Sequence, residues 1–359
     1  MLATLPAQSD VRCRTSHTML GEHPSHAHTP WTRDLQGISH DHSSWFITNI
    51  DQLFRIPAEV DLGQAAFDDS VLRVPIPREL TKQGHDHFGD LSWYEHGSEG
   101  YLCVPIEGSP AGAGLAFFRG RDLQYLGAAR LPERPTSAPL CAIDAGGYAA
   151  VPKRGTPIFG RYQIDWDAVA LGRPEPLVPA GALALMTERS QRFAPASFGG
   201  AAFSADGRLL YVLTGYLDDH ACPIWSARFW RRECRFDSEV GGIHVFDVRS
   251  LDGQRCDSAA ACEGIRVEKS HNAQDSGSSG FAYRYRGTLR ESEEPEGVTF
   301  WDLDAPGAPQ APGVGGQVHA LMLDNELLSE WDLGSIRHYR MRADCAQERV
   351  SQEPGYLGD

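Results

Sequence analysis

The chain has 359 residues, 41% of them hydrophobic, and a net charge of −15. This acidic balance excludes a nucleic-acid surface, because a phosphate backbone is met by clustered lysines and arginines, and the sequence has no such cluster. No apolar run reaches the roughly 18 residues that a membrane-spanning helix needs. The 37 glycines and 23 prolines are typical of many short strands joined by tight turns.

As printed, the sequence predicts a soluble cytoplasmic protein, since no charged N-terminal segment precedes an apolar core. Removal of a signal peptide from a longer precursor would instead make it a secreted protein. Two apolar strand-like runs contain Cys103 and Cys141, which are predicted to be small buried residues. Four cysteines have spacings compatible with disulfides, namely Cys222 with Cys234 and Cys256 with Cys262.

In chain order, residues 1–39 are predicted to form an N-terminal arm and the strand that closes a ring. Residues 40–345 follow as a single domain, with a long insertion near 216–240, and residues 346–359 form a tail. Within the domain, runs of four to eight β-branched or aromatic residues end at Gly, Pro or Asp, whereas helical periodicity is rare. The sequence therefore predicts an all-β protein.

The predicted strands fall into repeated units, the second of which is the most regular. Its four strands cover 91–94, 101–106, 114–118 and 123–131, and the strands of the first unit cover 45–50, 53–56 and 71–75. Five units begin near residues 40, 85, 138, 197 and 295. A repeat of four short strands predicts a β-propeller with four-stranded antiparallel blades. Five blades are predicted, with six as the alternative, because the interval from 197 to 295 is long enough for two units.

A His-Asp-His triplet occurs twice, and each copy precedes an aromatic strand-like run. The copies are His40, Asp41 and His42, and His85, Asp86 and His87. Residues two apart on an extended chain point the same way, so each triplet is expected to present two imidazoles to one face. In a propeller the innermost strands line the axis, so residues at the entrances of those strands are expected to converge.

This convergence predicts a metal site at the mouth of the propeller channel. The predicted ligands are His40, His42, His85, His87 and Glu296, a mixture that suits Zn, Mn, Fe or Ni more than Ca or Mg. Such an ion lowers the pKa of bound water to about 7, and a nearby carboxylate then serves as general base. The predicted catalytic carboxylates are Asp86, Glu294 and Glu107. The alternative is that the histidines lie in solvated loops and that the acidic run 293–296 is an exposed turn.

The long insertion carries aromatic and basic residues that suit an organic ligand, through stacking and carboxylate pairing. The predicted substrate-binding residues are His220, Trp225, Trp230 and Arg231. The alternative is a surface loop, held by a disulfide, whose aromatic residues pack on a neighbouring blade.

The segment 202–212, with Asp206 and Gly207 at a hairpin turn, resembles the strand-turn-strand signature of NHL and SMP-30/gluconolactonase-like propellers. This resemblance implies the propeller fold. In SMP-30-like lactonases, Glu, Asn and Asp residues hold a divalent ion over the central channel. The run 294–297 is similar to the Glu-Gly strand entrance of that superfamily, but the histidine triplets depart from its oxygen-rich site, so the resemblance implies the fold and no catalytic residue.

Two functions follow as hypotheses. The first is a metal-dependent hydrolase or lyase that acts on a small organic or carbohydrate substrate at the channel mouth. The second is a non-catalytic propeller, either lectin-like or a platform for protein interactions. The sequence contains no GxSxG elbow, no P-loop and no GxGxxG motif after a strand, which disfavours serine-hydrolase, nucleotide-hydrolase and dinucleotide-dependent functions. No nucleic-acid or membrane partner is expected, and the oligomeric state stays open.

Overall fold

The computed structural model describes residues 13–27, 29–65, 68–153, 156, 158–173, 175–186, 198–207, 209–214, 242–247, 266–272, 291–326 and 333–345. The first described strand is β1 (Cys13–Ala27), and the first blade follows as β2 (Leu35–His40), β3 (Ser44–Asn49), β4 (Gln52–Pro57) and β5 (Leu72–Pro75). Helix α1 (Arg78–Lys82) leads to the second blade. Its inner strand consists of β6 (His87–Phe88) and β7 (Ser92–His96), and its other strands are β8 (Glu99–Glu107), β9 (Gly114–Arg119) and β10 (Gln124–Arg130).

The third blade contains β11 (Ala142–Ile143), β12 (Tyr148–Pro152), β13 (Ile158–Ile164), helix α2 (Trp166–Ala170) and β14 (Leu177–Met186). The fourth contains β15 (Phe198–Phe203), β16 (Leu209–Thr214), β17 (Gly242–Asp247) and β18 (Arg266–Asn272). The fifth contains β19 (Glu291–Phe300), β20 (Val318–Glu326) and β21 (Leu333–Cys345), and β1 pairs antiparallel with β21 as its outer strand. The outer strands β14 and β18 also pair, in parallel, which joins the third and fourth blades at the rim.

These sheets form a five-bladed β-propeller with almost no helix, which confirms the predicted fold and blade count. The first blade differs from its prediction in one strand. Its inner strand is β2, which the sequence placed in the N-terminal arm, and the predicted first strand at 45–50 is the second strand, β3. The hairpin of the segment 202–212 is present: Phe203 pairs with Leu210, and Gly207 at the turn has a positive φ of 67°.

Blade interfaces make up the core, because strands of the inner layers bury both of their faces. In β3, Trp45 and Ile47 pack toward the fifth blade, whereas Phe46 packs toward the second. The described buried residues form five clusters, and each lies between two adjacent blades. Alternate residues of a strand point to opposite faces, so a strand buried on both faces is a continuous apolar run. In the described part of the chain, neither helix is long and apolar enough to cross a membrane.

Candidate functional site

The inner strands of the first two blades run in the same direction. Three contacts follow one another along them: Gln36 with His87, Ile38 with Asp90, and Ser39 with Trp93. A parallel bridge between Asp90 and Leu140 extends this direction to the third blade. We call the side on which inner strands begin, marked by Gln36 and His87, the front face. The side on which they end, marked by His40 and Trp93, is the back face.

The two His-Asp-His triplets therefore lie on opposite faces. Ile38 and Asp90 lie side by side, because the Ile38 N–H donates to the Asp90 carboxylate. His87 lies three residues before Asp90 on its strand, whereas His40 lies two residues after Ile38 on the neighbouring strand. At about 3.3 Å per residue, this places the two triplets on the order of 15 Å apart along the axis. The structure does not bring them together into one site. Similar local sequence occurs at the end of one inner strand and at the start of another.

The first triplet forms the turn of the β2–β3 hairpin. The Asp41 carboxylate accepts hydrogen bonds from the backbone N–H groups of Ser43 and Ser44, at 3.0 and 2.7 Å. His42 is exposed and has a φ of 67°, a left-handed conformation. The two imidazole rings nevertheless lie edge to face, with centroids 4.9 Å apart, so His40 and His42 are neighbours although only His42 is exposed.

His40 is buried, and both of its ring nitrogens have partners. Nδ1 accepts a hydrogen bond from the His42 backbone N–H at 3.3 Å, so Nε2 carries the proton and donates to the Phe300 carbonyl at 2.8 Å. The ring stacks on Trp301, with centroids 4.6 Å apart. Burial lowers the pKa of His40 to about 3, despite the hydrogen bond to Phe300. His40 is thus a neutral core histidine with no lone pair left for a metal ion.

In the second triplet only His87 belongs to an inner strand. His85 is buried, its Nδ1 donates to the Glu107 carbonyl at 3.2 Å, and burial lowers its pKa. Asp86 is exposed, and its backbone N–H donates to the same carbonyl. His87 is half-buried, and its Nε2 lies 2.7 Å from Gln36 Oε1, which joins the inner strands of the first two blades.

The predicted carboxylates have different surroundings. Glu107 is the register partner of His87, and its carboxylate accepts hydrogen bonds from the Ser137 hydroxyl and the Ala138 backbone N–H. It therefore holds the link between the second and third blades. Glu296 is half-buried at a bulge of β19. The backbone of Glu294 belongs to β19, but its side chain lies outside the described residues.

Asp90 lies at the hub of the ring and is fully buried. Its Oδ1 accepts a hydrogen bond from the Ile38 N–H at 3.0 Å, and its Oδ2 accepts one from the Ala201 N–H at 3.1 Å. Burial raises the pKa of this carboxyl well above its usual value, although backbone N–H groups, including those of Leu91 and Val298, act in the opposite direction. The Asp90 backbone also accepts from Cys141 N–H in the third blade, so one residue contacts all five blades.

Glycines allow the inner strands to approach Asp90 closely. A Cβ on Gly37 would lie 2.4 Å from Asp90 Cα, and a Cβ on Gly200 would lie 2.7 Å from Asp90 Oδ2. A Cβ on Gly297 would lie 2.8 Å from Gly37 Cα. Only glycine permits such close contacts between strands. Together the contacts close the central channel of the propeller at the level of Asp90. The sequence did not predict this role for Asp90, although glycines in several inner strands were a readable signal.

A cleft of about 270 Å³ lies between the second and third blades, close to the link that Glu107 holds. Tyr162 donates its hydroxyl hydrogen to Glu133 Oε2 at 2.6 Å, and Lys153 Nζ lies 3.4 Å from Glu133 Oε1. Burial and the neighbouring Glu133 raise the pKa of Tyr162, so its hydroxyl stays protonated at neutral pH. The sequence did not identify this cleft. The remaining walls are Leu131, Pro135, Thr136, Val151 and Pro152.

The described donors do not fit a divalent ion. Within the described ranges, no group of three or more His, Cys, Asp or Glu side chains is arranged to hold one. The nitrogens of His40 and the carboxylates of Glu107 and Asp90 already bind groups of the protein itself. A metal ion therefore stays a prediction from the sequence.

The predicted substrate-binding residues lie outside the described residues, as do the four cysteines predicted to form disulfides. These residues are His220, Trp225, Trp230 and Arg231, and Cys222, Cys234, Cys256 and Cys262. The described residues that flank the insertion near 216–240 are Thr214 and Gly242, which pair with each other, and Thr214 pairs with Phe198 at the start of an inner strand. The insertion therefore leaves and rejoins the propeller at the front face.

No family model and no curated protein matches the chain. Among solved structures it is similar to the glutaminyl cyclase of Myxococcus xanthus, at 10% identity and a TM-score of 0.45, over 92% of this chain and 98% of that one. It is also similar to a GH43_1 enzyme from Xanthomonas citri, at 10% identity and a TM-score of 0.42, over 89% of each chain. An α-L-arabinanase from Cellvibrio cellulosa has 12% identity and a TM-score of 0.38, over 84% of this chain and 90% of its own. Propellers host unrelated activities, so these similarities assign neither an activity nor a substrate to the chain, and the likeness to NHL and SMP-30-like propellers stays a resemblance.

Proposed function

We propose that this chain is an enzyme that acts on a small organic or carbohydrate substrate at the front face, with His87 as the proton acceptor. The supporting observation is the 2.7 Å hydrogen bond between His87 Nε2 and Gln36 Oε1. An amide oxygen accepts hydrogen bonds but does not donate them, so the neutral imidazole carries its proton on Nε2. The lone pair on Nδ1 is then the basic position, and it has no hydrogen-bond partner in the part of the chain that the structure describes.

An imidazole whose tautomer is set by a second side chain suits general base catalysis. Taking a proton from water would support hydrolysis, and taking one from a carbon next to a carbonyl would support elimination. These are the chemistries of a hydrolase and of a lyase. In both, Gln36 serves as a positioning residue, because it holds the ring without touching the substrate.

The front face also offers places for a substrate. The glycines around Asp90 close the axis, so a ligand approaches His87 from the front and does not traverse a channel. The 270 Å³ cleft is close in size to the smaller ligand pockets of proteins. Thr136, in its wall, precedes Ser137, which donates a hydrogen bond to Glu107, the register partner of His87. The insertion that leaves from this face retains its predicted role in binding the substrate.

The predicted catalytic carboxylates divide into two groups in this proposal. Glu107 is a positioning residue, because its carboxylate is occupied by the link between the blades. Asp86 and Glu294 stay candidates for a general acid. A metal ion, if present, would need ligands such as His220 in addition to His87 and Glu296. Elemental analysis of the purified protein for Zn, Mn, Fe and Ni tests this part of the proposal.

The alternative is a non-catalytic binding propeller, and the roles of several acidic residues favour it. Asp41, Asp90 and Glu107 all accept hydrogen bonds from backbone N–H groups, which is what structural carboxylates do. Under this alternative His87 only joins two blades through Gln36, and ligands bind without conversion.

The test compares His87→Asn with His96→Asn on a panel of lactones, esters, glycosides and hydroxy acids. His96 lies on the back face, where it pairs with Asp167, so it is the matched control. For any substrate that the wild type converts, His87→Asn should lower kcat by about 10²- to 10⁴-fold, the usual contribution of a general base. The His96→Asn variant should keep the wild-type rate.

A His87→Ala variant adds a readout that a structural role would not affect. Added imidazole should restore part of its activity, because the small base can occupy the space of the lost ring. Retention of the wild-type kcat in His87→Asn would refute the proposed base. Binding of panel compounds without conversion by the wild type would favour the alternative.

A further inference from the structure

Two buried cysteines meet at the interface between the second and third blades. Cys103 is in β8, and Cys141 directly precedes β11, the inner strand of the third blade. Both are fully buried, and their Sγ atoms lie 3.2 Å apart. They are far apart in sequence, so the contact is made only when the two blades have come together.

Other bonds hold both cysteine backbones in place. Cys103 is the register partner of Ser92, whose hydroxyl donates to the Cys141 carbonyl at 2.7 Å. The Cys141 N–H donates to the Asp90 carbonyl at 3.0 Å. A disulfide has an S–S distance of about 2.05 Å, so the two sulfur atoms need to move together by only about 1 Å. A movement of this size is on the scale that rotation of the two cysteine side chains provides.

We propose that Cys103 and Cys141 form a reversible disulfide that links the second blade to the third beside the hub. In the forward reaction the two thiols lose two protons and two electrons, and one Sγ–Sγ bond forms. A small-molecule disulfide such as glutathione disulfide accepts the electrons and protons, its own S–S bond breaks, and two thiol molecules leave.

Burial controls when this reaction occurs. It raises the pKa of the Cys141 thiol, with Cys103 adding to the effect, and only a thiolate attacks a disulfide. The folded, reduced protein should therefore react slowly. A chain that folds in the presence of the oxidant should acquire the bond while the two blades come together, before the finished interface excludes the oxidant. The link then constrains the unfolded chain between the two cysteines and stabilises the propeller.

The experiment refolds the full-length wild type from denaturant with glutathione disulfide, traps free thiols with iodoacetamide, and maps peptides by mass spectrometry without reduction. A linked peptide that contains Cys103 and Cys141 is expected. Recovery of both residues in alkylated form would overturn the proposal. This mapping needs no variant, so it decides the question even if a substitution prevents folding.

Thermal unfolding gives a second readout. Reduction of the refolded wild type should lower its Tm by about 5 °C, the scale expected for a disulfide that closes a loop of this length. In Cys103→Ala the same treatment should lower the Tm by less, because this variant cannot form the link between Cys103 and Cys141. Any disulfides among the other cysteines are present in both proteins and contribute equally to the two Tm shifts. Equal Tm shifts in the two proteins would contradict the stabilising role.

Discussion

Replacement of Asp90 by Asn tests whether one carboxyl group holds the five blades together. Asn has the same shape, but it replaces one acceptor oxygen with an NH₂ donor. In the native structure Oδ1 faces Ile38 N–H and Oδ2 faces Ala201 N–H, and the N–H groups of Leu91 and Val298 also act on this carboxyl. The amide therefore leaves one or two buried N–H groups without an acceptor. At about 1–3 kcal/mol for each, Asp90→Asn should lower the free energy of unfolding by about 2–5 kcal/mol.

The assay is urea denaturation followed by tryptophan fluorescence, with Asp69→Asn as the control for an exposed Asp. The control should unfold near the wild-type midpoint, because surface substitutions away from special features have small effects. A midpoint for Asp90→Asn equal to that of the wild type would refute the idea that backbone N–H groups of several blades depend on this carboxyl.

The pH dependence of the stability difference between the wild type and Asp90→Asn gives an independent check. The pKa of Asp90 in the folded protein is raised above its ordinary value of 3.8. The folded state thus retains a proton at pH values where the unfolded chain has released it. The stability contributed by this equilibrium is fully present below the ordinary pKa and is lost as the pH rises through the raised pKa. The difference between wild type and Asp90→Asn should therefore shrink as the pH increases, and a difference that grows with pH would contradict this account.

Two further substitutions test the packing at the hub and the charge state of a buried histidine. Gly297→Ala places a methyl group 2.8 Å from Gly37 Cα and should lower stability by about 1–3 kcal/mol, whereas Gly315→Ala, whose Cβ meets no atom closer than 3.8 Å, should be nearly neutral. Equal Tm values for these two variants would show that the hub is not closely packed. For His40, whose folded pKa is about 3, the unfolded chain binds a proton first as the pH falls below about 6.5, so stability is lost by up to about 1.4 kcal/mol per pH unit. Urea midpoints at pH 7 and pH 5 should accordingly differ less in His40→Asn than in the wild type, and an unchanged difference would argue against a neutral buried His40.

The sequence predicted the arrangement of strands better than the arrangement of side chains. Three of the predicted units, those that begin near residues 85, 138 and 197, correspond to complete blades, because strands buried on both faces are long apolar runs that end at clear turns. The inner strand of the first blade was missed. β2 contains Gly37, which the close approach to Gly297 requires, and glycine weakens the local strand signal.

The sequence did not show where the predicted site residues lie relative to one another. A repeated triplet shows that two segments have similar residues, but not at which end of an inner strand each segment lies. His40 ends β2 on the back face, whereas His87 begins β6 on the front face. The place where the strand ends also matters: His40 is the last residue of β2 and is buried, whereas His42 lies in the turn that follows and is exposed.

Composition, strand periodicity and turn residues were thus sufficient to predict an all-β propeller, with five blades favoured over six, since these properties depend on interactions between near neighbours in the chain. Only the tertiary structure established that Asp90 lies at the hub, that His87 is oriented by Gln36, and that Cys103 meets Cys141. Each of these contacts joins different blades. Its geometry depends on how neighbouring inner strands are shifted relative to each other along the propeller axis. Local sequence does not encode that relative position, because it results from the packing of all five interfaces at once.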